Sequence, residues 1–131
     1  ADAGTATAAA ALLARAGLGG RETVRAERLS HGEHRQLEIA IALSTGPRLL
    51  LLDEPLAGLG ATESEAMVAL IGALGGELAI LLVEHDLDAV FALADRVTTL
   101  EQGRIVASGD PTAVRSDPAV HASYVGEGDS Q

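Results

Sequence analysis

The sequence predicts an α/β fold, and three observations lead to that prediction. Two short, continuous apolar runs, Leu49–Leu52 and Ala79–Val83, have the length of single strands and end in polar residues. A segment with helical spacing, Thr62–Leu74, separates them. The chain has 131 residues, of which 47% are hydrophobic, and this is enough for one core. Strand, helix and strand at this spacing predict two parallel strands joined by a right-handed crossover.

Two helices are predicted ahead of the first strand. The first runs from Thr5 to Ala16, and the glycines at positions 17, 19 and 20 end it. Residues 20–28 are polar and rich in arginine, which predicts a loop. The second helix begins at Ser30 and continues to the break at Gly46-Pro47. Its predicted apolar stripe consists of Leu37, Ile39, Ala40, Ile41 and Leu43.

The remaining elements follow from caps and turn residues. The crossover helix is predicted to have Thr62 as its N-cap and Glu65 as its third residue. Residues 86–95 predict another helix, and 96–100 and 104–107 predict a hairpin that turns at 101–103. Pro111 and Pro118 are expected to open two short helical turns, because proline suits the first helical position. Residues 127–131 are expected to fray.

Composition excludes several classes of function. The net charge is −10 and only 2% of residues are aromatic, so we expect no nucleic-acid partner. The chain has no cysteine, and all nine basic residues are arginine. It therefore has no thiolate metal site and no lysine-containing phosphate loop. No apolar run is long enough to span a bilayer, which favours a soluble, cytosolic protein.

Polar side chains follow both predicted parallel strands. Asp53 and Glu54 end the first strand, and Glu84, His85 and Asp86 end the second. Because parallel strands point the same way, these groups are expected to meet at one sheet edge, where α/β sheets bind ligands. The carboxylates suit Mg²⁺ and activation of an attacking water, although an acidic pair also simply ends a strand.

The second strand end has its own alternatives. His85 suits a phosphate or the attacking water, or is an ordinary histidine that links a strand to a helix. A metal cluster of Glu84, Asp86 and Asp88 is disfavoured, because Asp86 is the natural N-cap of the next helix.

The start of the second helix also allows two interpretations. Ser30 and Glu33 have the spacing of a capping box, which requires no ligand. The same helix terminus favours an anion, and Gly32 would let a phosphate approach the backbone. Glu33 opposes that second interpretation by its charge, and the spacing alone leaves both open.

Four segments in this order resemble motifs of ABC transporter ATPase subunits. They are Leu29-Ser30-His31-Gly32-Glu33 (signature), Leu49-Leu50-Leu51-Leu52-Asp53-Glu54-Pro55 (Walker B), Ala57-Gly58-Leu59-Gly60 (D-loop) and Val83-Glu84-His85-Asp86 (H-loop). The stretches Arg35-Gln36-Leu37-Glu38-Ile39-Ala40 and Tyr124-Val125-Gly126-Glu127 look most like the ATPase subunits of branched-chain amino acid importers.

The resemblance implies a partial P-loop NTPase fold that lacks the N-terminal Walker A lobe. Residues 1–47 would form part of the helical subdomain, 48–110 the RecA-like α/β core, and 111–131 a C-terminal helical tail. Asp53 would support Mg²⁺, Glu54 would be the general base, and His85 would be the switch histidine. The signature residues Ser30, His31, Gly32 and Glu33 would contact ATP held mainly by a second ATPase subunit. His31, Glu33 and Gly60 depart from the common motifs, where Gly, Gln and Asp are usual.

The resemblance also implies partners and a location. We expect a second ATPase subunit, membrane permease subunits, and a peripheral position on the inner, cytoplasmic face of the cell membrane. The chain looks like the C-terminal half of such a subunit, so we expect it to be inactive alone and to self-associate. The alternative is a non-catalytic, ATPase-like module that pairs with a full subunit.

Overall fold

Residues 2–125 are described by a computed structural model, in which the helices and strands follow one another in the predicted order. The elements are α1 (Ala3–Arg15), a 3₁₀ turn (Ala26–Arg28), α2 (His31–Leu43), β1 (Leu49–Asp53), α3 (Ala61–Gly75), β2 (Ala79–Val83), α4 (Leu87–Leu93), β3 (Val97–Glu101), β4 (Arg104–Gly109), α5 (Pro111–Arg115) and α6 (Pro118–Val125). No helix in this part of the chain combines the length and hydropathy that a bilayer span requires. The residues expected to fray, 127–131, lie outside the described range.

The chain divides into two compact units, Ala1–Glu84 and His85–Gln131. In the first unit, β1 and β2 pair in parallel, with Leu49 opposite Ala79 and Asp53 opposite Val83. The predicted βαβ arrangement is therefore confirmed. Helix α2 packs against α1 and α3 in this unit. The buried apolar residues of the first unit are Ala16, Leu18, Ile39, Ala40, Leu43, Leu50, Leu56, Met67, Ile71 and Leu74.

The second unit is built on the predicted hairpin. Strands β3 and β4 pair antiparallel, with a register shift between Thr99 and Leu100. The turn has positive φ at Gln102 (47°) and Gly103 (77°), which is the conformation that matches the twist of a tight hairpin. Its core consists of Val97, Val114 and Val120, with Phe91 packed against it.

Three local predictions are wrong. The N-cap of α3 is Gly60, two residues before the predicted Thr62, because Ser64 N–H already donates to the Gly60 carbonyl at 2.9 Å. Ile41 is 61% exposed, since the buried side of α2 is defined by Ile39, Ala40 and Leu43. Pro118 opens a helix as predicted, but this helix has eight residues and is longer than the short helical turn expected there.

The strand pair is also less buried than its apolar sequence predicts. Along β1, Leu50 is buried, whereas Leu49 and Leu51 are 53% and 66% exposed. Along β2, Leu81 and Val83 are 59% and 54% exposed. Side chains alternate between the two faces of a strand, so these four residues form one exposed apolar face of the sheet. We refer to Leu49, Leu51, Leu81 and Val83 as the open face.

Candidate functional site

The carboxyl ends of β1 and β2 are joined beyond their last paired residues. Glu54 N–H donates to the Val83 carbonyl at 2.7 Å, so the ladder continues one residue past the strands. Glu54 has a left-handed φ of 47°, which is unusual for a residue with a side chain. The chain turns sharply at this point. Asp53 and Glu54 are both exposed at the sheet edge where the sequence placed them.

Glu84 holds the turn that follows Glu54. Its Oε2 accepts a hydrogen bond from Leu56 N–H at 3.2 Å, within the first unit. The sequence marks Glu84 as part of a strand end and as a member of a disfavoured metal cluster, and neither interpretation predicts this hydrogen bond. The signal was present in the predicted pairing, because parallel strands that end at residues 53 and 83 bring positions 54 and 84 side by side.

Ser30 forms the N-cap of α2, and the capping box is confirmed. Its Oγ accepts from Glu33 N–H at 3.2 Å, and Glu33 Oε1 accepts from Ser30 N–H at 3.1 Å. The interpretation that needs no ligand is therefore realised. A hydroxyl that accepts still has its own O–H to donate, so the cap does not consume the hydrogen-bonding capacity of Ser30.

Arg21 fixes the Glu33 carboxylate with two hydrogen bonds. Nε donates to Oε2 at 2.6 Å, and a terminal guanidinium nitrogen donates to Oε1 at 3.0 Å. The hydrogen bonds from Arg21 and Ser30 lower the pKa of Glu33 from 4.5 to about 2, and the pair raises the pKa of Arg21. Arg21 belongs to the segment predicted as a loop, and no pattern in the sequence predicts this contact. The pair neutralises the charge that opposed an anion at this terminus.

Of the two other signature residues, His31 faces the turn after β1 and Gly32 faces α3. His31 Nε2 lies 3.2 Å from the Ala57 carbonyl oxygen. Gly32 is buried, and a Cβ at its position would lie 2.9 Å from the carboxyl carbon of Glu63 on α3. A cleft of about 70 Å³ opens here. Its lining residues are Ser30, Gly32, Glu33, Gln36, Glu63, Ala66 and Met67.

His85 is exposed and is the first residue of the second unit. Asp86 follows it as the N-cap of α4, with Oδ1 accepting from Ala89 N–H at 3.1 Å, as predicted. The meeting of His85 with Glu54 at one rim stays a prediction. Among residues 2–125, no group of three His, Asp or Glu side chains has the geometry to hold a metal ion.

Two family models match the chain, one near each end. A model described as "ABC transporter" matches residues 3–57, and one described as "Branched-chain amino acid ATP-binding cassette transporter" matches residues 104–130. The first covers the capping box and the acidic strand end described above.

The chain is also similar to individual ATP-binding proteins of ABC transporters. The branched-chain amino acid transport ATP-binding protein BraF of Pseudomonas aeruginosa is 42% identical over 76% of this chain and 40% of its own length. LivG of Escherichia coli (strain K12), of the same description, is 40% identical over 91% of this chain and 48% of its own length. The solved ADP conformation of MJ1267, an ATP-binding cassette of an ABC transporter, superposes with a TM-score of 0.84 at 28% identity, over 96% of this chain and 52% of that one.

The chain thus spans about half the length of the relatives it matches. The fold prediction of a partial ABC ATPase cassette is confirmed. The chain therefore belongs to the ABC transporter ATP-binding family and resembles its branched-chain amino acid transport members.

Proposed function

We propose that this chain is the C-terminal portion of the ATP-hydrolysing subunit of an ABC importer. The observation that carries the proposal is the geometry after β1, where two exposed carboxylates stand at the carboxyl end of a parallel strand and Glu54 is held in a left-handed turn. Ligands bind at this edge in α/β sheets. A carboxylate fixed there suits general-base activation of water.

The proposed roles follow the positions of the side chains. Glu54 acts as the general base, Asp53 supports Mg²⁺, and His85 is the switch histidine near the transferred phosphate. Residues Ser30, His31, Gly32 and Glu33 contact ATP held mainly by a second subunit. Mg²⁺, when bound, neutralises charge on the phosphate oxygens. The exposed carboxylate of Asp53 suits a Mg²⁺ site whose other oxygen ligands come from phosphate and water.

The chain alone is expected to be inactive. All nine of its basic residues are arginine, so it cannot supply the lysine that neutralises phosphates in a Walker A loop. Without a cradled phosphate, Glu54 has no positioned water to activate. Steady Mg²⁺-dependent ATP turnover by the purified chain, lost in Glu54→Gln, would overturn this expectation.

A chimera tests the site residues directly. Residues 1–131 would replace the matching stretch of Escherichia coli LivG, which supplies the rest of a cassette. We expect Mg²⁺-dependent ATP hydrolysis that Glu54→Gln lowers by about 10²–10⁴-fold, the range for loss of a general base. Glu65→Gln, at an exposed position on α3, is the matched control and should keep full activity. Equal activity in the two variants would contradict the role of Glu54.

We propose branched-chain amino acids as the cargo of the intact transporter, and permease subunits at the inner face of the membrane as its partners. The support is the match at residues 104–130 and the similarity to the branched-chain amino acid transport proteins BraF and LivG. Leucine uptake in cells with and without the gene tests the cargo. Unchanged leucine uptake would contradict it.

A second candidate is a non-catalytic module that pairs with a full subunit. The open face favours it, because four exposed apolar residues offer a surface to a partner. Sequencing the gene upstream of residue 1 separates the two candidates. A lysine-containing phosphate loop in the same reading frame supports the ATPase portion, and a start codon directly before residue 1 supports the module.

A further inference from the structure

The turn that carries Glu54 is held by two side chains distant in sequence. Within the turn, Ala57 N–H donates to the Glu54 carbonyl at 3.1 Å. From β2, Glu84 accepts from Leu56 N–H at 3.2 Å. From the start of α2, His31 contacts the Ala57 carbonyl at 3.2 Å. All these residues belong to the first unit.

The contact of His31 has a defined direction. A backbone carbonyl only accepts hydrogen bonds, so His31 Nε2 must carry the proton. The ring also lies against Gly58, where a Cβ would stand 2.9 Å from Nε2. Gly58 has φ +76°, a conformation that favours glycine. A glycine at position 58 therefore permits both the turn and the approach of the imidazole.

We propose that His31 is a positioning residue that acts on Glu54 through Ala57. The left-handed φ of Glu54 is costly for a residue with a side chain and persists only where its surroundings enforce it. Ala57 enforces it through its hydrogen bond to the Glu54 carbonyl, and His31 holds Ala57. The start of α2 and the turn after β1 are thereby linked by a hydrogen bond. The link to catalysis rests on the proposed role of Glu54.

Amide hydrogen exchange in the chain itself tests the contact without any nucleotide. The reporters are Ala57 N–H and Leu59 N–H, which donate to Glu54 and Leu56 within the turn. We expect His31→Ala to speed exchange at both amides by about fivefold, since one net hydrogen bond of ~1 kcal/mol corresponds to that factor. His31→Gln keeps an N–H donor and should restore most of the protection. His34→Ala, on the same helix, is the matched control.

Gly58→Ala provides a second, independent variant. The added Cβ would displace the imidazole, so the substitution should speed exchange at Ala57 more strongly with His31 present than in the His31→Ala background. Gly58→Ala could raise the exchange rate at Ala57 equally in the two backgrounds, and this result would overturn the contact. An exchange rate in His31→Ala within twofold of that in His34→Ala would overturn it as well.

The chimera tests the consequence for catalysis. There, His31→Ala should lower kcat, and His31→Gln should recover most of that loss. The KM for ATP reports separately on the proposed contact of His31 with the nucleotide. Faster exchange at Ala57 with an unchanged kcat would overturn the positioning role while leaving the contact intact. A chimera without any turnover would contradict the proposed function instead, and the exchange result would still stand.

Discussion

At the scale of single residues, the start of α2 is shaped by ion pairing more than its motif suggests. Arg21 and Ser30 together occupy both oxygens of the Glu33 carboxylate. A glutamate in place of the common glutamine therefore presents a neutralised group. Glu33 stands where the family motif commonly has glutamine, and Arg21, which lies outside the motif, balances its charge.

This arrangement predicts a specific loss of stability in acid. The folded state holds the pKa of Glu33 at about 2, against 4.5 for the unpaired group, so the unfolded chain binds more protons between these values. The stabilisation is present above pH 4.5 and is lost as the pH falls toward 2. In urea unfolding at successive pH values, Glu33→Gln should lose less stability over this window than the original chain. Identical slopes for the two proteins would contradict the assignment.

Two glycines should differ in how strongly alanine changes the stability of the chain. At Gly32 the added Cβ meets only the end of the flexible Glu63 side chain, and alanine favours helix by about 1 kcal/mol, so Gly32→Ala should change stability by no more than that. At Gly58 the φ of +76° opposes any Cβ, so Gly58→Ala should cost about 1–3 kcal/mol. Urea unfolding measures both. A Gly32→Ala variant that is the less stable of the two would show that Glu63 cannot move.

The contacts that local patterns missed share one physical feature. They join Arg21 to Glu33, His31 to Ala57, and Leu56 to Glu84, which are 12, 26 and 28 residues apart. The capping box spans three residues and was predictable from spacing. Only the parallel register relates positions 54 and 84, and nothing in the sequence relates Arg21 to Glu33.

At the scale of elements, α3 shows which part of a helical pattern is informative. The predicted helical spacing over residues 62–74 is realised, and Met67, Ile71 and Leu74 are buried on one helical face. The start of the helix was predicted wrongly because Thr62 with Glu65 has the spacing of a capping box, whereas the extended backbone of Gly60 sets the true beginning. Periodicity therefore located the buried face, and capping chemistry misplaced the terminus.

The buried face of α3 predicts a large effect at one position. Met67 is 1% exposed, so Met67→Ala should cost about 2–5 kcal/mol through lost burial and the remaining cavity. The exposed Glu65 on the same helix supplies a control, and Glu65→Ala should stay within about 0.5 kcal/mol. Urea unfolding of both variants provides the comparison. Similar losses would mean that helix propensity rather than packing sets the stability of α3.

At the scale of the whole molecule, the open face is the feature that the sequence did not reveal. Continuous apolar runs predict strands covered on both faces, as parallel sheets usually are. Only one face of β1 and β2 is covered among the described residues. The relatives are about twice as long as this chain, which makes a partly covered sheet physically consistent with a partial cassette.

The open face predicts that the chain self-associates. Threonine keeps strand propensity and removes apolar surface, so Leu51→Thr with Leu81→Thr should shift the chain toward monomer in sedimentation velocity. Leu100→Thr is the matched control, because Leu100 is 67% exposed but belongs to the hairpin. A chain that sediments as a monomer at every concentration would contradict the prediction.

The left-handed backbone of Glu54 affects any attempt to raise the thermal stability of this protein. Glycine at that position would relieve a cost of about 1–3 kcal/mol, so laboratory evolution for heat tolerance alone would enrich it early. The survivors would resist heat better and would have discarded the carboxylate on which the proposed chemistry depends. Tolerance and turnover would therefore have to be selected together at this one codon.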